Sequence, residues 1–108
     1  MRNGRFAALA LAAAVVPLAS GAAVAASVHV VVIDKMKFGA LPENIHVGDA
    51  IMWVNHDMFR HSVTARDGSF DLDLPAGKSG KIIVKKAGAI SFNCKYHPGM
   101  TGVLKVAK

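Results

Sequence analysis

The amino-acid sequence predicts an all-β domain, either a sandwich or a barrel. Short runs rich in β-branched residues are separated by Gly and Pro at close intervals through residues 27–108, which is typical of such folds. No stretch of this region shows a capped apolar period of 3.6 residues, so no helix is predicted. A region of this length holds one domain and one core, which excludes a two-domain enzyme with an interdomain cleft.

Six strands are predicted in chain order. The first has apolar residues on both faces and is expected to be buried on both sides. In the fourth, Ile82 and Val84 are expected to face away from Ile83. The strands cover residues 28–33, 50–55, 62–65, 81–85, 89–94 and 102–106, and segments 41–47 and 72–77 are predicted as connections.

Residues 1–26 differ in composition from the rest. They contain two arginines, no acidic residue, and an alanine-rich apolar run that ends in small residues. This pattern is typical of a secretory signal peptide, cleaved after Ala25 or Ala26. A retained anchor is the alternative, which a proline and the weak hydrophobicity of alanine disfavour. We therefore expect a mature domain over residues 27–108, a periplasmic location and no stable membrane span.

The net charge of the chain is +6, and the leader arginines contribute two of these charges. The remaining basic residues are mostly lysines spread along the chain. Nucleic-acid binding requires a concentrated basic patch on a matching fold. No nucleic-acid partner is therefore predicted.

The chain contains one cysteine, Cys94. An exported domain with a single cysteine has no intramolecular disulfide. Cys94 is then a buried inert thiol, half of an intermolecular disulfide, or a metal ligand. The neighbouring residues distinguish among these alternatives.

Three potential ligands follow one another at C-x2-H-x2-M spacing: Cys94, His97 and Met100. A Pro-Gly pair between the last two predicts a tight turn, so one short loop could direct all three side chains to one point. His61 begins another predicted strand upstream. A sandwich can bring that strand end beside the loop.

This set of donors indicates copper. One thiolate, two imidazoles and a weak thioether form the trigonal site with a long axial ligand that is found in blue-copper proteins. Zinc favours more Cys, His or carboxylate ligands, and calcium and magnesium favour oxygen. Four protein ligands leave no open position for a substrate. The site is therefore predicted to relay single electrons through one copper ion, and the protein is not expected to be an enzyme.

The sequence resembles the cupredoxins of the plastocyanin/azurin class, and most closely the amicyanin-like proteins. The resemblance covers residues 28–106 and is carried by the segments 33–38 (IDKMKF), 47–55 (VGDAIMWVN), 61–63 (HSV) and 87–100. It implies a Greek-key β-sandwich and a type 1 copper site with ligands His61, Cys94, His97 and Met100. It also implies periplasmic electron transfer by a monomer, with transient partners such as a dehydrogenase, cytochrome or reductase.

Three residues near the first predicted ligand need separate interpretation. His56 could be mistaken for the ligand, but the resemblance places the ligand at His61. Ser62 stands where family members often carry Asn, so its effect on the site is open. Asn55 is expected to brace the loop by bonding local backbone.

Two surface features are predicted around His97. Arg60 and Lys95 flank ligands in sequence and could steer an acidic redox partner toward the copper. An apolar docking rim is predicted from Met58, Phe59, Pro98 and Gly99.

Two other functions are compatible with these residues. Copper storage or delivery is suggested by several histidines and by Met36, Met52, Met58 and Met100. Rapid transfer of Cu(I) would favour delivery, whereas slow copper exchange with reversible redox chemistry would favour the carrier. A thiol enzyme using Cys94 and His97 is disfavoured, because no orienting acid or oxyanion donors are evident.

Overall fold

The computed structural model describes residues 25–108, which form a β-sandwich of two sheets. The predicted signal peptide lies, up to residue 24, outside the described residues. The nine strands found in the described part are β1 (Val28–Asp34), β2 (Lys37–Phe38), β3 (Ile45–His46), β4 (Ala50–Asn55), β5 (His61–Ala65), β6 (Asp71–Leu74), β7 (Ser79–Ile83), β8 (Gly88–Asn93) and β9 (Thr101–Ala107). The all-β prediction is confirmed.

The two sheets have the strand orders β2-β1-β4-β7 and β3-β9-β8-β5-β6. Two of the pairings are parallel, β1 with β4 and β3 with β9, and the others are antiparallel. Because β1 and β4 run in the same direction, the loops that follow them emerge at the same end of the sandwich. The start of β5 and the end of β8 belong to the second sheet.

The core lies between the sheets and is centred on aromatic side chains. Trp53 of β4 and Phe92 of β8 are both fully buried. Their ring centroids are 5.3 Å apart at an interplanar angle of 68°, and Phe38 packs edge-on against both. Such edge-to-face contacts add to the stability that burial alone provides.

The prediction that the first strand is buried on both sides is wrong. Val31 and Ile33 are fully buried, but Val28 is 66% exposed and Val30 is 59% exposed. The second sheet covers only one face of β1, and side chains of a strand alternate between the two faces. Apolar residues on both faces therefore do not by themselves indicate a strand that is covered on both sides.

The predicted connections are also partly wrong. Segment 41–47 contains β3, and segment 72–77 contains most of β6. The alternation predicted for Ile82 and Val84, which are buried, and Ile83, which is exposed, is confirmed. β7, which carries Ile82 and Ile83, begins earlier than predicted, includes Gly80 and ends before Val84. A Cβ atom at residue 80 would lie 2.8 Å from Leu72 Cδ1, so the missing side chain makes room for β6.

Within residues 25–108, no helix is long and apolar enough to cross a membrane.

Candidate metal centre

Neighbouring strand ends bring the predicted ligands together. His61 is the first residue of β5, and Cys94 directly follows β8. These strands pair through Thr64 with Asn93 and through Ala65 with Phe92. The start of β5 therefore lies beside the end of β8. The loop 94–100, which joins β8 to β9, begins at this edge.

The loop is closed by two backbone hydrogen bonds. The N–H of Cys94 donates to the carbonyl of Met100 over 3.0 Å, and the N–H of Met100 donates to the carbonyl of His97 over 3.2 Å. Gly99 has a φ of 94°, a conformation that residues with a side chain rarely adopt. This turn folds the loop back on itself and keeps its two ends together.

His61, Cys94 and His97 converge on a single point. The two Nδ1 atoms are 3.1 Å apart, and Cys94 Sγ lies 3.7 Å from His61 Nδ1 and 3.6 Å from His97 Nδ1. A point equidistant from three atoms with these separations is about 2.0 Å from each. That distance is near the bond lengths of about 2.0–2.3 Å from imidazole nitrogen and thiolate sulfur to a transition metal. The triangle therefore fits one metal ion.

The four candidate ligands differ in exposure. His61 is fully buried, Cys94 is 2% exposed, and Met100, at the end of the loop, is 6% exposed. His97 is half-buried. A soft, largely dry donor set of this kind suits copper better than zinc or a hard cation. The site can hold one copper ion, with Met100 as an additional donor from the same loop.

Asp57 fixes the orientation of the His61 ring. Its Oδ2 accepts a hydrogen bond from His61 Nε2 over 2.7 Å. With Nε2 donating, Nδ1 presents its lone pair to the site, as a metal-ligating histidine requires. The N–H groups of Lys35 and Met36 donate to the same carboxylate over 2.8 and 2.9 Å. Burial opposes ionisation of Asp57, but the bonds from Met36, His61 and Lys35 hold its pKa below the usual value.

The Cys94 thiol has a backbone donor. The N–H of Ser62 points to Cys94 Sγ over 3.3 Å. A hydrogen bond to a metal-bound sulfur limits how much charge the sulfur gives to the metal. Ser62 is fully buried, so this contact is shielded from water.

Asn55 braces the loop before His61 by bonding backbone groups, as predicted. Its Nδ2 donates to the carbonyls of Phe59 and Leu74 over 2.8 and 3.0 Å. Its Oδ1 accepts from the N–H of Asp57 over 2.9 Å. These bonds hold the residue that orients His61.

The other histidines of the described chain lie outside this cluster. His56 is exposed, and its backbone N–H bonds to Ile33. His29 bonds to Asp49 through Nε2, and His46 bonds to Asn44 through Nδ1. Between the two candidates near the first ligand position, the geometry therefore favours His61 over His56.

Exposed apolar side chains precede His61 in the chain, and the two cations predicted to steer a partner are paired. Met58 is 89% exposed and Phe59 is 57% exposed. The Phe59 ring centroid lies 6.3 Å from that of His97. Arg60 is 3.5 Å from Asp73, and Lys95 Nζ is 3.1 Å from Asp71. Each predicted steering cation therefore has an acidic partner, which the sequence did not reveal.

The structure is similar to solved amicyanin structures. A Cu(I) amicyanin with a methionine-to-alanine substitution gives a TM-score of 0.63 at 26% identity, over 74% of this chain and 82% of that chain. An oxidised proline-to-alanine variant gives 0.63 at 27%, with the same coverage. A reduced tryptophan-to-tyrosine variant gives 0.61 at 26%, over 72% and 80%.

Comparison with protein-family models gives no match, and comparison with curated protein sequences gives none either.

The two sheets and the convergent His, Cys and His donors, with Met100 nearby, define a cupredoxin. Within that class the chain resembles the amicyanins, as the sequence motifs predicted. Asp57 and the partners of Ser62 were missed by sequence analysis. An acid four residues before a histidine signals a contact on a helix but carries no such meaning in a loop.

Proposed function

We propose that the protein is an exported type 1 copper protein that carries single electrons between redox partners. His61, Cys94 and His97 are the strong ligands, and Met100 is the weak axial ligand. The observation that carries this proposal is the triangle of donor atoms with sides of 3.1, 3.6 and 3.7 Å. When bound, copper supplies a Cu(I)/Cu(II) couple at this point.

The surroundings of the triangle suit rapid electron exchange. Donors held by the β5–β8 edge and by Asp57 need little rearrangement between the two copper states. Among the three, only His97 is more than marginally exposed, so it offers the shortest route to the surface. Met58 and Phe59 form an apolar rim next to it, on which a partner can dock briefly. The partner is a dehydrogenase, a cytochrome or a reductase.

The proposal is tested by loading the protein with Cu(II) and recording its visible absorption and EPR spectra. We expect an intense thiolate-to-copper band and a narrow copper hyperfine splitting, both lost in Cys94→Ser and altered in His61→Ala. A pale spectrum typical of nitrogen and oxygen ligation would exclude the type 1 site.

The assignment of His97 has its own test. His97→Gly removes the half-exposed ligand and should leave an opening that external imidazole can fill. His61→Gly is the matched control, because that position is fully buried and should be rescued far less. Copper ligation that is unchanged in His97→Gly would contradict its role as a ligand.

Copper delivery is the alternative, and the exposed thioether of Met58, which is 89% exposed and precedes Phe59 in the chain, favours it. A thioether at the surface is a suitable first contact for Cu(I). Chelator competition separates the two functions. Slow copper loss with reversible redox cycling supports the carrier, whereas rapid transfer of Cu(I) that slows in Met58→Leu supports delivery.

A further inference from the structure

Ser62 links the segment that carries His61 to the segment that carries Cys94. It follows His61 in β5, and its backbone N–H points to Cys94 Sγ. Its hydroxyl oxygen accepts a hydrogen bond from the backbone N–H of Lys95 over 2.7 Å. A single buried residue therefore contacts both Cys94 and the residue after it.

The Ser62 hydroxyl belongs to a closed ring of hydrogen bonds. Ser62 Oγ lies 3.0 Å from Thr64 Oγ1, and Thr64 Oγ1 donates to Asp71 Oδ1 over 2.9 Å. Lys95 Nζ donates to Asp71 Oδ2 over 3.1 Å. The ring thus begins at the backbone of Lys95 and ends at its side chain.

The directions of these bonds are fixed by chemistry. An ionised carboxylate only accepts, so Thr64 must use its one hydroxyl proton on Asp71. Ser62 must then donate to Thr64, which leaves the Ser62 oxygen to accept from Lys95. Every hydroxyl in the ring is satisfied, and no alternative direction of donation is compatible with Asp71 as a carboxylate.

The ring lies where the backbone pairing between β5 and β8 ends. The β5–β8 ladder pairs Thr64 with Asn93, and Cys94 is the next residue. Beyond Asn93, the bonds of Ser62 to Cys94 and Lys95 continue the contact between the two segments by two residues. Lys95 is held at both its backbone and its side chain, so the Cys94 backbone is fixed from both sides.

We propose that Thr64 and Asp71 are positioning residues for the segment that carries Cys94, and that they act by fixing the hydroxyl of Ser62. The copper part of this inference rests on the proposed function, because it takes Cys94 as a ligand. The hydrogen-bond part concerns the protein alone and can be measured without metal.

The copper-dependent test uses Ser62→Ala and Thr64→Val in the full chain, with Thr64→Ser as the matched control that keeps the hydroxyl. Loss of groups behind a ligand commonly weakens metal binding by about 10–100-fold. We expect copper release to a chelator to accelerate by about that factor in Ser62→Ala, with a shifted thiolate-to-copper band. Thr64→Val should change in the same direction by less, and Thr64→Ser should match the wild type.

The copper-independent test is hydrogen exchange of the Lys95 amide in the metal-free protein, followed by NMR. Exchange of this amide should accelerate about tenfold or more in Ser62→Ala and in Thr64→Val, while the Phe92 amide within β8 stays protected. If Ser62→Ala does not fold, Thr64→Val and Asp71→Asn report on the same ring from its exposed side.

The two tests separate failure of this inference from failure of the proposed function. A wild-type protein without the thiolate-to-copper band contradicts the type 1 site, and the exchange rates still decide whether the ring exists. A wild-type band with unchanged copper release and unchanged Lys95 exchange in Thr64→Val would overturn the roles of Thr64 and Asp71.

Discussion

Asp49 and Asp57 stand at opposite ends of the parallel pair β1 and β4. Asp49 precedes β4 and accepts hydrogen bonds from Ser27 N, His46 N and His29 Nε2 over 3.0, 2.9 and 2.9 Å. Asp57 follows β4 and likewise accepts from two backbone N–H groups and one histidine. Both carboxylates are largely buried, at 4% exposure for the Asp49 residue and 10% for the Asp57 side chain.

The two ends differ in what the second nitrogen of the histidine faces. Nδ1 of His61 faces Cys94 and His97, whereas His29 belongs to no donor cluster within residues 25–108. The same kind of buried carboxylate therefore closes the fold at one end and orients a histidine of the donor cluster at the other. The comparison predicts that the two aspartates affect different measurable properties.

The largest effect on stability is expected from Asp49→Ala. This change leaves three partly buried donors without their acceptor. It lowers the free energy of unfolding, because these donors were removed from water on folding and would have no protein partner in its place. We expect the melting temperature of the metal-free protein to fall by several degrees. The spectrum of the copper-loaded protein should not change, because Asp49 does not contact the site. A changed spectrum would show that the two ends are coupled.

Asp57→Asn should produce the complementary result. Removing a negative charge next to His61 destabilises Cu(II) relative to Cu(I), so the reduction potential should rise. Copper affinity should fall by about tenfold or more, the usual effect of losing a partner behind a ligating histidine. The measurements are voltammetry and chelator competition.

Asp34→Asn is the matched control for the Asp57 variant. Asp34 Oδ1 also accepts from the N–H of Lys35, over 2.9 Å, but it is exposed and does not contact His61. The Asp34→Asn variant removes one negative charge at the same turn, as Asp57→Asn does. Equal shifts of potential in the two variants would mean that the charge matters and the His61 contact does not.

Acid should weaken the Asp49 end in a defined pH range. The hydrogen bond from His29, followed by those from His46 and Ser27, lowers the pKa of Asp49 from 3.8 to about 2. Because the folded-state pKa lies below the unfolded one, this contribution to stability is fully present above about pH 4. It is lost as the pH falls from there toward 2.

The measurement is the difference in melting temperature between the wild type and Asp49→Asn at several pH values. Acids that are common to both proteins cancel in this difference. It should be constant near neutral pH and shrink between pH 4 and 2. A difference that stays constant down to pH 2 would show that the carboxylate charge contributes nothing.

Features that depend on a local sequence pattern were predicted more completely than features that depend on contacts between residues far apart in the chain. Cys94, His97 and Met100 share one short loop, so their spacing alone indicated a site. Asp57 depends on backbone N–H groups about twenty residues away, and no local pattern records that contact. The exposed face of β1 was missed for a related reason, because burial depends on whether another layer covers a face. His61 was a candidate because it lies at a predicted strand start, and the resemblance, which supplied the missing long-range information, selected it over His56.

The smallest predicted effect concerns the charges beside His97. The sequence suggested that Arg60 and Lys95 steer an acidic partner, but each lies next to an aspartate. A partner farther away than the screening length of about 8–10 Å senses the sum of the charges, so each pair contributes little to steering.

The Arg60–Asp73 pair allows a direct test with an anionic iron complex as the oxidant. Asp73→Asn leaves the charge of Arg60 unneutralised and should speed oxidation at low salt by a small factor. Arg60→Gln leaves the charge of Asp73 unneutralised and should slow oxidation by a similarly small factor. The double variant should show the same dependence of rate on ionic strength as the wild type, because both charges of the pair are removed together. A double variant that loses a salt dependence present in the wild type would show that Arg60 steers in spite of its partner. The Arg60–Asp73 ion pair would then be broken when a partner approaches.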